Sequence, residues 1–164
     1  NLRLNRCPDN FVVSAAMTDN MGKAKLRRYP QARGWQTLGD PPFARGYDSH
    51  LVEVQTINFE HLAQRYQLAS VDLVKIDVEG AEVYVLNGMQ RFLREKRIRC
   101  IVFEVNHLML AGVNMAVSEL MQLWNEFDYD LWRLGDDGRP IPIDGSWPDN
   151  LVGDCVAIPR MSKS

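Results

Sequence analysis

The segment Lys75-Ile76-Asp77-Val78-Glu79-Gly80 places three ionisable side chains at alternate positions of an otherwise apolar run. Residues two apart on a strand share a face, so Lys75, Asp77 and Glu79 are expected to project together. A second apolar run closes with Glu104-Val105-Asn106-His107, which supplies a carboxylate, an amide and an imidazole. If the two runs are neighbouring strands, Asp77 and Glu104 meet at one edge of a cleft. Charges taken out of water need partners, so two readings stand side by side. In one, Lys75 pairs with Asp77 while Glu79 acts on a helix N-terminus. In the other, the groups line a polar cavity and the carboxylates, with Asn106 or His107, serve as a general base or hold a magnesium-like ion. A lone histidine after a strand more often makes one loop hydrogen bond, so no metal site is expected.

These side chains need elements to position them. Val71 to Val78 is rich in β-branched residues and reads as a strand. Ala81 to Lys96 carries Val85, Leu86, Met89, Phe92 and Leu93 at helical spacing, with Glu79 and Glu82 at its start and Arg94, Lys96 and Arg97 at its end. Cys100 to Val105 then reads as the next strand, which completes a parallel βαβ unit. Upstream, Phe11 to Met17 reads as a buried strand, and Lys23 to Tyr29 and Leu51 to Ile57 as two strands joined by a long, mobile loop rich in glycine and proline. Asn58 can cap a helix with Leu62, Ala63 and Tyr66 on its apolar stripe. Downstream come a helix over Ala116 to Phe127 and strands over Asp130 to Leu134 and Asn150 to Ile158. This order predicts an α/β sandwich around a mostly parallel sheet, with ligands at the strand ends after Ala16, Ile76 and Phe103.

The 164 residues, 46% of them hydrophobic, are enough for one domain with its own core. Lys and Arg number 19 against 21 Asp and Glu, a net charge of −2 spread without like-charge runs, so neither nucleic acid nor an anionic membrane is an expected partner. Cys7, Cys100 and Cys155 form no Cys-x-x-Cys pair, which fits reduced thiols in a cytoplasmic protein. The sequence holds no apolar stretch of roughly 18 residues and no signal-peptide layout. It opens on Asn1 and not on Met, so an upstream segment is expected.

The stretch VDLVKIDVEGAEVYVLNGM resembles the signature of FkbM-type methyltransferases, in which such a strand leads into a helix beginning Gly-Ala-Glu. The likeness extends to Ser14-Ala15-Ala16-Met17-Thr18-Asp19, similar to a strand ending in small residues and an acidic turn. It extends further to Gln55–Leu62, to Ile101–Val105 with its Glu-Val ending, to Asn1–Asn5 as a helix end and to Val156–Pro159 as the closing strand. This resemblance implies a class I, Rossmann-like methyltransferase sandwich, its sheet mostly parallel with an antiparallel last strand. It implies S-adenosylmethionine as cofactor and O-methylation of a hydroxyl on a sugar, polyketide or other small metabolite, hence a small-molecule or glycan acceptor. Asp77 would then sit beside the sulfonium with Glu79 in the same cleft, and the catalytic candidates are Asp77, Glu79, Glu104 and His107. Ala16, Met17 and Asp19 would border the adenine and Asp77 would share in cofactor binding, although Ala16 also suits sheet packing and Asp19 a simple turn. The 164 residues lack the family's glycine-rich turn, since the 11 glycines form no Gly-x-Gly cluster. Residues 1–164 are therefore expected to be a partial domain without the N-terminal strands, binding cofactor weakly or not at all and exposing a sheet edge. Glu60 stands where the family commonly has Asp, a change expected to alter a cap. The rival readings are a non-catalytic binding or scaffold domain on a degenerate or truncated methyltransferase fold, and a nicotinamide-dependent oxidoreductase. The charged KIDVEG strand and the antiparallel-looking final pair disfavour the latter. The Pro30 to Ser49 loop is the expected substrate-facing cover.

Overall fold

The computed structural model describes residues 12–32, 34–143 and 147–160. The features expected of Asn1–Asn5, Cys7 and Phe11 lie outside them. The first sheet consists of β1 (Ala16–Met17), β2 (Gly22–Arg28), β3 (Gln36–Thr37) and β4 (His50–Ile57), in the order β1-β4-β2-β3. β2 runs antiparallel to β4 from Gly22 opposite Thr56 to Arg28 opposite His50, while β1 lies parallel to the end of β4. Among the described residues the expected buried strand over Phe11 to Met17 shrinks to two, because Val12 and Val13 are exposed and only Ala16 and Met17 pair. The connection between β2 and β4 is folded and not structureless. Trp35 packs edge-on against Tyr29, Phe43 and Tyr47 at centroid distances of 6.1, 5.0 and 5.5 Å, and a 3-10 turn spans Pro42–Ala44.

Helix α1 (Phe59–Arg65) starts at Asn58 as expected: the Asn58 Oδ1 accepts from the His61 N–H at 2.8 Å, satisfying one of the free amides of the first turn. Its deepest side chains are Phe59 and Ala63.

The second sheet holds β5 (Val74–Ile76), β6 (Ile101–Asn106), β7 (Tyr129–Leu134), β8 (Pro140–Pro142) and β9 (Val152–Pro159), ordered β5-β6-β9-β7-β8. β5 and β6 are parallel, and β9 is antiparallel to both β6 and β7. Strands β5, β6 and β7 therefore point one way, with the last strand reversed between β6 and β7. The α/β class holds, but in place of one mostly parallel sheet the described residues form two mixed sheets. Tight hairpins such as β7–β8 can pair only antiparallel, whereas each parallel pair requires a long crossover.

One face of the second sheet carries Ile76, Ile101, Phe103, Val105, Cys155, Ala157 and Tyr129, all buried. Helices α2 (Glu82–Asn87), α3 (Gln90–Arg94) and α5 (Val117–Glu126) contribute Val85, Leu86, Phe92, Leu93, Leu120 and Trp124 to the same core. The Trp124 ring lies 4.8 Å from Phe103 and 5.7 Å from Tyr129, centroid to centroid.

The single helix expected over Ala81 to Lys96 is broken in two at Gly88 and Met89. A Cβ on Gly88 would stand 2.2 Å from the Thr18 carbonyl oxygen, so the helix passes the end of β1 at a distance only glycine permits. The Gly88 carbonyl accepts from the Glu60 N–H, and the Glu60 carboxylate accepts from the Arg91 N–H at 2.8 Å. Glu60 thus caps α3 across the break.

A short helix α4 (His107–Leu110), continued by a 3-10 turn over Ala111–Val113, follows β6 directly. Asn106 starts it, its Oδ1 accepting from the Leu108 N–H at 3.1 Å.

Candidate active site

Ile76 closes β5 opposite Phe103 of β6, so the next residues of the two strands, Asp77 and Glu104, fall at the same level. Glu104 in turn stands opposite Asp154 of β9. Three adjacent strands therefore present a row of carboxylates, Asp77, Glu104 and Asp154, on one sheet face. Lys75, on that face, donates to Asp154 Oδ1 at 2.6 Å and stands 3.9 Å from Asp77 Oδ2. The expected Lys75–Asp77 pair is thus present but secondary to Lys75–Asp154. All three side chains are about half exposed, and in that setting ion pairs contribute on the order of 1 kcal/mol or less. The Lys75 pairing alone does not account for the cluster.

Glu104 is held above the usual carboxylate range, first by burial, then by the negative charge of Asp77 beside it and a hydrogen bond to that residue, with Lys75 opposing. Glu79 is pushed up from 4.5 to about 7 by burial and then by the charges of Glu104, Asp77 and Glu82. Its backbone is left-handed, with φ of 52°, a conformation that costs a residue other than glycine about 1 kcal/mol. Gly80 follows with φ of 91°, and a Cβ there would lie 2.4 Å from the Met109 carbonyl oxygen. The turn leaving β5 is therefore clamped between its own strand and α4.

The Glu82 side chain is turned inward at 2% exposure. Its carboxyl is raised to about 6 by burial, which outweighs the backbone hydrogen bonds that favour its charged form. Residues 2–131 match the family model of the methyltransferase FkbM domain.

The chain belongs to the FkbM methyltransferase family. No curated protein and no solved structure matches it. In this FkbM domain the matched residues run from before β1 into β7, leaving β8 and β9 beyond them. Asp154 thus completes the carboxylate row from outside the matched stretch.

The other residues expected at the site are placed less tightly. The FkbM domain holds His107 at the start of α4, where its N–H donates to the Leu151 carbonyl at 3.1 Å. The ring's Nδ1 is buried and, among the described residues, has no hydrogen-bond partner. No ion pair or hydrogen bond among them joins it to the carboxylates. Ala16 and Met17 are half-buried in β1, and Met17 packs on the core. Asp19 is exposed in the turn that follows, beside a depression of about 390 Å³ lined also by Thr18, Lys23 and Tyr84. This turn belongs to the first sheet and the carboxylate row to the second, so the structure does not gather the two candidate groups on one sheet edge. Thr18 abuts Gly88 at the end of α2, and Glu79-Gly80 precedes its start, which separates them by about 9 Å of helix.

Two site residues escaped the sequence reading. Glu82 looks like an ordinary acidic residue at a helix start, and Asp154 like a polar position on a half-solvated strand. Only the register that sets Asp154 against Glu104, and the inward turn of Glu82, reveal them. No group of three or more His, Cys, Asp or Glu among the described residues could hold a metal, and no described helix is long and apolar enough to cross a membrane.

Proposed function

We propose that this domain transfers the methyl group of S-adenosylmethionine to a hydroxyl of a small-molecule or glycan acceptor, on a class I, Rossmann-like sheet. The observation that carries the reading is the gathering of Glu79 and Glu104 beside Asp77 where two parallel strands end, with burial and mutual repulsion holding both glutamates above the usual carboxylate range. The sheet order β5-β6-β9-β7, with β9 reversed, supports the fold assignment.

The donor set fits a cationic ligand, since Asp77, Glu79 and Glu104 outnumber the single Lys75 and part of their charge is unneutralised. When bound, S-adenosylmethionine supplies a methyl group activated as a sulfonium. Asp77 and Glu104 would lie beside that cation, and Ala16, Met17 and Asp19 would border its adenine. Glu79, titrating near 7, takes the proton of the acceptor hydroxyl, because a base is most effective when its pKa lies near the working pH. His107 is the remaining candidate for the acceptor side, its Nδ1 buried and without a hydrogen-bond partner among the described residues. The loop between β2 and β4 covers the acceptor: its Asp40 N–H donates to Gly112 at 2.8 Å, which pins it over the segment following β6.

The test is methyl transfer from S-adenosylmethionine labelled in its methyl carbon, run with the protein that carries this domain and hydroxylated acceptors. Asp77→Ala should lower turnover by about 10²- to 10³-fold. Unchanged turnover would remove Asp77 from the site, and no labelled product with the unaltered protein would favour the scaffold reading.

A further inference from the structure

We propose that Glu82 is a positioning residue for Glu79, its buried carboxylate anchoring the Glu79–Gly80 turn through the Gly80 amide. The inference rests on the proposed function, since Glu79 is the base assigned there.

Glu79 and Gly80 both have positive φ, 52° and 91°, and such a turn persists only when its surroundings hold it. One restraint is steric, the Met109 carbonyl against Gly80. The other is polar: Glu82 Oε1 accepts from the Gly80 N–H at 3.2 Å in a buried setting. Without that acceptor the Gly80 amide would be a buried donor with nothing to bond, and the turn would open towards water.

The choice of residue needs explaining. Among the described residues no Lys or Arg pairs with Glu82, and its Oε2 is buried without a hydrogen-bond partner. A carboxylate is expensive to bury in this way, and at a solvated helix start it would simply point outward. Glu82 Oε1 reaches the Gly80 amide at 3.2 Å, so a side chain one methylene shorter is expected to fall short of it. It also sits in the same field as its client: Glu104 opposes ionisation of Glu82, and Glu82 joins Glu104 and Asp77 in opposing ionisation of Glu79. Lys75 and Asp154 act on this group through Glu104.

Two conservative variants separate anchoring from charge. Glu82→Gln keeps the acceptor oxygen and the length but loses the charge; Glu82→Asp keeps the charge but is one methylene short of the Gly80 amide. Nuclear magnetic resonance reads the Gly80 amide exchange rate and the titration of the Glu79 side-chain carboxyl carbon in each, with thermal unfolding as the check that both fold. In Glu82→Gln, Gly80 should stay protected and the Glu79 midpoint should remain within about half a unit of the unaltered protein. In Glu82→Asp, Gly80 should exchange about tenfold faster and Glu79 should titrate about one unit lower. If Asp leaves both readouts unmoved, or Gln shifts them as far as Asp does, the anchoring role is wrong. The measurement needs neither cofactor nor acceptor. Its failure would leave the methyl-transfer reading standing, and an absence of methyl transfer would leave the Glu82–Gly80 geometry untouched.

Discussion

Replacing Glu79 by Gln should make the protein more stable at neutral and alkaline pH and have little effect in acid. Glu79 titrates near 7 in the folded chain against 4.5 for an ordinary glutamate, chiefly because burial disfavours its charged form. A carboxyl whose folded pKa is raised favours folding while protonated. That contribution is complete below pH 4.5 and is lost as the pH climbs through 7. The full shift corresponds to about 3 kcal/mol, and since Glu79 is only half-buried, solvent screening reduces it to about 1–2 kcal/mol. The amide mimics the protonated acid and escapes the penalty, so the variant's advantage should grow from pH 4 to pH 8 by that amount. Urea unfolding of both proteins at several pH values, at constant ionic strength, measures the difference directly. An advantage that is flat with pH, or that shrinks as pH rises, would show that Glu79 is not proton-retaining in the fold.

Gly88→Ala should destabilise the fold by about 1–3 kcal/mol, because the added methyl must displace the Thr18 backbone from 2.2 Å; thermal unfolding would show it. Gly80→Ala should cost at least as much, since it combines a backbone clash with a φ of 91°, and should also lower turnover by disturbing Glu79. Tyr129→Phe removes the buried O–H donated to the Ile98 carbonyl at 3.0 Å and should lower unfolding free energy by about 1–2 kcal/mol. The same change should abolish a phenol titrating at about 12, visible by ultraviolet absorbance.

The carboxylate row is legible in the sequence where it obeys local rules. Alternation in KIDVEG and the strand–helix–strand order point to Asp77 and Glu104 on one face of neighbouring strands, because consecutive strands of a βαβ unit usually lie side by side, and the observed register sets them level. The Asn58 cap was readable for the same reason, since a cap is decided within four residues. Asp154 was not, for its partner Glu104 lies 50 positions away and only β9's insertion between β6 and β7 joins them. The break at Gly88 was equally hidden: the heptad-like apolar pattern runs through it, and the cause is a close contact with Thr18, distant in the chain. The early apolar run misled in the opposite sense, because hydrophobic composition cannot tell whether a neighbour is there to bury Val12 and Val13.

The interrupted helix between Glu79 and Thr18 also acts as a ruler. Because it is seated at both ends, by glycine contacts with Met109 and with Thr18, its length in residues sets how far apart the two candidate halves of the ligand site stand. Inserting or deleting one residue in α2 would alter that spacing by about 1.5 Å and swing one end by about 100° relative to the other. Families built on this motif should therefore tolerate exchange of side chains along the segment far more readily than any change in its count.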